Sequence, residues 1–319
     1  MQADLDKIDT WAKAWKVKFN ETKTELLNVF RGNADSQILT FGGSNLQQVR
    51  QHKHLGVTLQ DNCKWGDHIT TIATKVRLLI NCLRSFKHTL TRKALETMYK
   101  SFILPIFDYA DIVWDGCAEY QSKILEDLHM EALRIITGSV RGTSHEKLLK
   151  ESGFCTLKER RRRHKLLTYF KILQGNCPNY ISHLLPPLAS SVNPYHRRRP
   201  LERIIPRYKT DIYKKSFFPS TTAMWNDLPL HIQQSQSISQ LKRYLSSRDE
   251  SVPLYYYNGN RAAQVIHCRM RLGMSNLNFD LYTRHLTNDP SCACQHPRET
   301  AEHFLLHCPL FNQHRANTV

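Results

Sequence analysis

Four residues near the C-terminus have the types that hold a soft divalent metal. Cys292-x-Cys294 is followed after eight residues by His303, and after four more by Cys308. Three thiolates and one imidazole are a Cys3His ligand set for Zn2+. The His-x4-Cys half has the spacing of a zinc knuckle. The Cys-x-Cys half is tighter than Cys-x2-Cys, and the eight-residue gap is longer than a knuckle's. His296 and His307 are rival ligands, and His303 and His307 share a face of any helix there. The competing reading is a group of reduced cysteines in a short packed helix. A bound Zn2+ would staple a tail that has little core of its own.

Two arginine runs point to a second chemistry. Arg160, Arg161, Arg162 and Arg163 are consecutive, as are Arg197, Arg198 and Arg199. Four consecutive arginines on one helix point all round it and cannot all be paired internally, so phosphate contact or nuclear import would use them. Lysine and arginine total 45 against 28 acids, a formal net charge of +17. Between Cys155 and Lys215, 15 of those cations face three acids, so the surplus is clustered. Clustering favours a polyanionic partner over a solvated surface. Tyr169, Phe170, Tyr180, Tyr195, Tyr208 and Tyr213 could stack on unpaired bases, with core packing the alternative for most of them.

Composition narrows the rest. Hydrophobic residues make up 41% of the 319, enough to build cores. No apolar run is long enough to span a bilayer, and the polar, acidic start is neither a signal nor a transit peptide. Nine cysteines without a secretory signal read as reduced thiols. These features suggest an intracellular protein, nuclear or cytoplasmic. The charge points to a polyanionic partner, with no membrane and no small-molecule substrate expected.

The elements that must position these residues show in the hydrophobic pattern. Residues 4–19 have helical spacing and would bury Trp11 and Trp15. Short apolar runs between turn residues over 25–59 predict a small antiparallel meander. Ile69, Ile72, Val76, Leu79, Ile80 and Leu83 fall on one face of a helix over 66–88. A second helix should start at the N-cap Thr91 and reach about Leu104, with Pro105 ending or kinking it. A third should span Glu119 to Thr137 and stop at Gly138. Further helices are expected over 157–174, 237–247 and from Arg261 to Leu272. The proline-bearing stretch that follows the helix over 157–174 reads as a linker or extended arm.

Several segments, in order, resemble the reverse transcriptases of LINE-type, jockey-like non-LTR retrotransposons. Trp11-Ala-Lys-Ala-Trp15-Lys-Val-Lys-Phe19-Asn20-Glu-Thr-Lys23 is similar to the helix and turn after the catalytic hairpin of the palm. His52-Lys-His54-Leu55-Gly56-Val57-Thr-Leu59 is similar to the primer-grip region. Trp65-x-x-His68-Ile69, Tyr99-x-Ser101-x-Ile103-x-Pro105 and Tyr109-Ala110-x-x-x-Trp114 are similar to the thumb. Trp225-Asn226-x-Leu228-Pro229, Arg271-Leu-Gly273-x-Ser275-x-Leu277-Asn278 and the Cys/His block are similar to the tail.

The resemblance implies an α+β, mostly α-helical chain. It divides into a small antiparallel palm remnant with a primer-grip-like meander (1–62), a helical thumb bundle (63–140), a basic Arg/Pro-rich connector (141–250) and a small Cys/His zinc-knuckle-like tail (251–319). It implies that Lys23 stood near the incoming nucleotide's phosphates, against the plain reading of a surface lysine in a turn. Gly56 would let backbone approach a primer closely, or would serve strand geometry only. Lys75, Arg77, Arg84 and Lys87, with Arg92 and Lys93, would line a template–primer duplex, or would be solvated helix faces. The family's metal-holding carboxylates include an Asp-Asp pair, and no such dipeptide occurs here. Tyr109-Ala110-Asp111 continues with Ile112 and reads as a packing segment. Mg2+ chemistry therefore belongs to a full-length parent only. The implied function is template–primer binding without catalysis. The alternatives are a free-standing zinc-stapled adaptor for nucleic acid, or an inert product of a decayed element.

Overall fold

Ile69, Ile72, Val76, Ile80 and Leu83 recur at three- and four-residue intervals and are buried along one face of α2 (Gly66–Ser85). That stripe needs a partner, and it builds the core of the protein. In the computed structural model, described for residues 1–20, 23–29, 38–192, 201–246 and 252–316, the chain is mostly helical with three very small sheets.

The N-terminal part holds α1 (Gln2–Ala14) and strands β1 (Glu25–Leu27), β2 (Thr40–Phe41), β3 (Ser44–Asn45), β4 (Gln47–Val49), β5 (Gln51–His54) and β6 (Val57–Gln60). Two expectations fail here. The strands do not form one antiparallel meander: β2–β3 and β5–β6 are antiparallel hairpins, but β1 lies parallel to β4. The reason is that β4 continues out of the β2–β3 hairpin, and β1 aligns with it in the same direction. Nor does α1 bury its indoles. Trp11 and Trp15 are 52% and 70% exposed and lean on each other at 6.2 Å between ring centres. Lys16, with φ of 54°, turns the chain just beyond the helix, and only Ala12 of α1 is buried.

The bundle follows. It comprises α2, α3 (Arg92–Met98), a π turn (Tyr99–Ile103), α4 (Leu104–Asp108), α5 (Asp111–Trp114), α6 (Glu119–Thr137) and α7 (His145–Ser152). Thr91 caps α3 by accepting from the Ala94 N–H at 3.3 Å. Pro105 does not stop the helix. The wider π turn just before it absorbs the missing donor and the ring's bulk. Gly138 ends α6 with φ of 78°, a left-handed position that glycine takes without steric cost. A Cβ there would also lie 2.4 Å from a methyl of Val265, so glycine permits the close approach of a later helix.

The core of the bundle runs from Ile69 to Leu157, past residue 140. A second cluster starts on α8 (Leu157–Leu173) with Leu166, Tyr169 and Phe170. The chain continues through α9 (Asn179–Ser182), α10 (Ala189–Val192), α11 (Asp211–Lys215), α12 (Phe217–Asn226), α13 (Leu230–Gln233) and α14 (Ile238–Ser246). Trp225, Leu228, Ile232, Leu241 and Leu245 complete the cluster. The segment expected as a connector therefore carries a core of its own, because its apolar residues flank the prolines and close on one another. Beyond it, α15 (Arg261–Leu272) packs on α6 and α7, and α16 (Asn278–Thr283) leads into the Cys/His region. Among the described residues no helix is long and apolar enough to cross a membrane.

Candidate functional site

The Cys/His residues converge. One metal-binding atom from each of Cys292, Cys294, His303 and Cys308 lies within 4.8 Å of the others, so the four could hold a metal ion. Two local devices bring them together. Cys292 to His296 is a tight turn, closed by Gln295 N–H to Cys292 O at 2.8 Å and Cys292 N–H to His296 O at 2.9 Å. Gln295 takes φ of 72° to make it. That geometry lets a Cys-x-Cys spacing aim both thiols inward. His303–His307 is a π turn, closed by Cys308 N–H to His303 O at 2.7 Å. In a regular α-helix, residues five apart diverge; the wider turn puts the imidazole and the thiol on one side.

Cys294 Sγ is 3.2 Å from His303 Nε2, and Cys292 Sγ is 3.7 Å from Cys308 Sγ. Cys292, Cys308 and His303 are buried. Desolvation pushes the Cys292 thiol up to about 11. Desolvation also raises Cys294, but bonds from the His296 N–H and the neighbouring thiols outweigh it and hold that group below its usual value. Desolvation, then the nearby His296 and His307, lower His303, which favours the neutral imidazole a metal needs. His296 stacks on His303 at 4.0 Å and engages the Arg298 backbone through Nδ1. His303 Nδ1 is buried without a hydrogen-bond partner among the described residues.

The arginine run behaves differently from expectation. All four members are engaged. Arg160 makes a two-pronged pair with Asp108 at 2.5 and 2.7 Å. Arg161 is buried and bonds Asp115 at 2.7 Å and Ser122 at 2.6 Å. Arg162 and Arg163 reach back to Glu159 at 3.3 and 3.5 Å. Asp115 would be raised by burial, yet Lys165 and Arg161 hold it below the usual carboxylate value. Arg160 and Arg161 thus tie α8 to the end of α4 and to Asp115 just past α5, while Arg162 and Arg163 pair with Glu159 within α8. The acids that satisfy Arg160 and Arg161 come from far back in the chain. A second possible metal group, Asp108, Asp111 and His164, is part of the same network. Arg160 occupies Asp108, and His164 Nδ1 lies 2.5 Å from Asp111. Arg197, Arg198 and Arg199 lie outside the described residues.

Lys23 is exposed, as are Lys75 and Arg77 on α2. Arg84 pairs with Glu131, while Arg92 is buried between Glu96 and Glu151. Gly56 has φ of 82° and Leu55 φ of 46°, and together they form the two-residue turn between β5 and β6. Glycine takes such a left-handed turn position without steric cost. Tyr169 and Phe170 are buried core residues, whereas Tyr180 is 72% exposed. Reasoning from sequence missed Arg134, Arg141 and Arg269, which line a groove with Arg84 and Lys87. They are scattered single cations, and no local run marks them.

No protein-family model matches the chain, and no solved structure matches it. Curated sequences do match, and all those named here come from mobile elements. The chain is 32% identical over 119 residues to a retrovirus-related Pol polyprotein from type-1 retrotransposable element R1 4 of Nasonia vitripennis, covering 36% of this chain and 30% of that protein. It is 28% identical over 142 residues to the RNA-directed DNA polymerase from mobile element jockey of Drosophila funebris, covering 44% of this chain and 16% of that protein. A Pol polyprotein from element R1 of Bradysia coprophila aligns over 96% of this chain at 20% identity, covering 29% of its own length. The chain is therefore related to the RNA-directed DNA polymerases of non-LTR retrotransposons. It spans less than a third of the length of each of these relatives.

Proposed function

We propose that these 319 residues hold nucleic acid for a retrotransposon-type polymerase and do no polymerisation themselves. In this reading the residues up to 62 derive from the palm, the bundle from 63 is a thumb, and the C-terminal residues form a tail stapled by Zn2+. The ligands would be Cys292, Cys294, His303 and Cys308. Bound zinc would supply a fixed tetrahedral crosslink there and no reaction step. The partner is RNA, DNA or their hybrid, met mostly through phosphates.

The observation that carries this reading is the joint occurrence of two facts. The chain is related to RNA-directed DNA polymerases, and it has a formal charge of +17 with no Asp-Asp pair. The relatives' names supply the nucleic acid, and the charge supplies the affinity. Exposed Lys75 and Arg77 stand on the bundle where a phosphate backbone could meet them.

Fluorescence anisotropy with a labelled RNA–DNA hybrid tests it. Several phosphate contacts would make affinity fall by roughly a thousandfold or more between low and physiological salt. A flat salt response, or primer extension by the purified chain with Mg2+, would sink the reading.

A further inference from the structure

The C-terminal ends of α2 and α6 meet α15 around an open groove of about 720 Å³. Arg84 and Lys87 reach it from the end of α2 and just beyond, Arg134 and Arg141 from the end of α6 and just beyond, and Arg261 and Arg269 from α15. Among the described residues two acids, Asp127 and Glu131, line it with them. Both are already taken: Glu131 by Arg84, and Asp127 by Lys123 at 2.9 Å.

Two of the cations have structural work. Arg261 donates to the carbonyls of Lys87, Ile136 and Ile135 at 2.8, 2.8 and 2.6 Å, which ties the two helix ends together. Arg269 Nε donates to the Gly138 carbonyl at 3.1 Å. Lys87, Arg134 and Arg141 have no acidic partner among the described residues, and Arg134 Nε is buried without an acceptor. Cations gathered this closely repel one another and are costly to hold without an anion between them. A single phosphate would fill little of the groove, whereas consecutive phosphates of a strand match several cations set along a cleft.

We propose that this groove holds the sugar–phosphate backbone of a nucleic-acid strand, with Lys87, Arg134 and Arg141 as its phosphate ligands. The inference rests on the nucleic-acid reading above and gives that binding a place. Neither arginine lies in an arginine run, and the site exists only where α15 closes over the bundle.

The test uses the zinc-loaded full chain and a labelled RNA–DNA hybrid. The triple variant Lys87→Gln/Arg134→Gln/Arg141→Gln is compared with a control that removes equal charge elsewhere, Lys150→Gln/Lys242→Gln/Arg243→Gln. In the groove variant, the slope of log affinity against log salt should become shallower by about 0.9 for each phosphate that is no longer neutralised, and in the control it should stay unchanged. Arg141 is exposed beyond the end of α6, so Arg141→Gln alone should fold normally and lower the slope by about one. An equal fall in slope in both triple variants, or no change in Arg141→Gln, overturns the groove but leaves nucleic-acid binding standing. A wild-type chain without salt-dependent binding overturns both.

Discussion

Tyr109 donates its hydroxyl to the Leu55 carbonyl at 2.6 Å and so clamps the tip of the β5–β6 hairpin to the helical bundle. The Tyr109 ring also covers Gly56: a Cβ on that glycine would sit 3.2 Å from Cε1 of the ring. Gly56→Ala should cost about 1–2 kcal/mol from its left-handed backbone, with a further small cost where the ring must shift. Tyr109→Phe should cost about 1 kcal/mol, the net worth of one hydrogen bond. Denaturant midpoints check both, and an unchanged midpoint in Gly56→Ala would show that the turn is not held as described.

The arginines of α8 should separate by burial. Arg161 is 3% exposed and shares Asp115 with Lys165. Removing one partner of such a buried network strands the other charge, so Arg161→Met should destabilise by about 3–5 kcal/mol. Arg162, a third exposed and paired with Glu159 of its own helix at 3.3 Å, should tolerate Gln with a change of about 0.5 kcal/mol or less. Equal effects at the two positions in thermal unfolding would contradict the pairing scheme.

His129 should make the bundle acid-sensitive. Its Nδ1 lies 2.5 Å from the Tyr99 hydroxyl and its Nε2 3.1 Å from the Cys155 carbonyl. Tyr99 donating and Nε2–H donating fit a neutral ring. Burial lowers its pKa from 6.5 to about 4. The unfolded chain therefore takes up this proton first as pH falls. Stability is full above about 6.5, declines through the window down to about 4, and is lower by about 3 kcal/mol at the bottom. Urea titrations at several pH values, comparing the wild type with His129→Gln, should show that slope in the wild type alone.

The Cys/His cluster carries a prediction of its own. Zinc content should be close to one per chain and should vanish in Cys308→Ser, with chelators loosening residues 291–308 in hydrogen exchange. His296→Ala should retain the metal, because that ring stacks on His303 and bonds the Arg298 backbone. Metal-free protein with an equally protected tail would show that the cysteines only pack.

The helices α2, α3 and α6 could be read along the chain because each is set by local physics: a 3.6-residue apolar stripe on α2, a capping hydroxyl at Thr91, a left-handed glycine at Gly138. The metal-ligand types were legible for the same reason, since thiols and imidazoles declare their chemistry wherever they stand. What the tertiary structure decided was partnership. Asp108 and Asp115 reach Arg160 and Arg161 across 52 and 46 residues, and no local rule reports such a pairing. The exposed indoles of α1 and the mixed strand directions depend likewise on what packs where. The groove cations Lys87, Arg134 and Arg141 gain meaning only when α15 folds back on α6. Sequence sets how each segment curls and which charges it carries; the fold alone determines which of those charges are neutralised and which are left facing solvent.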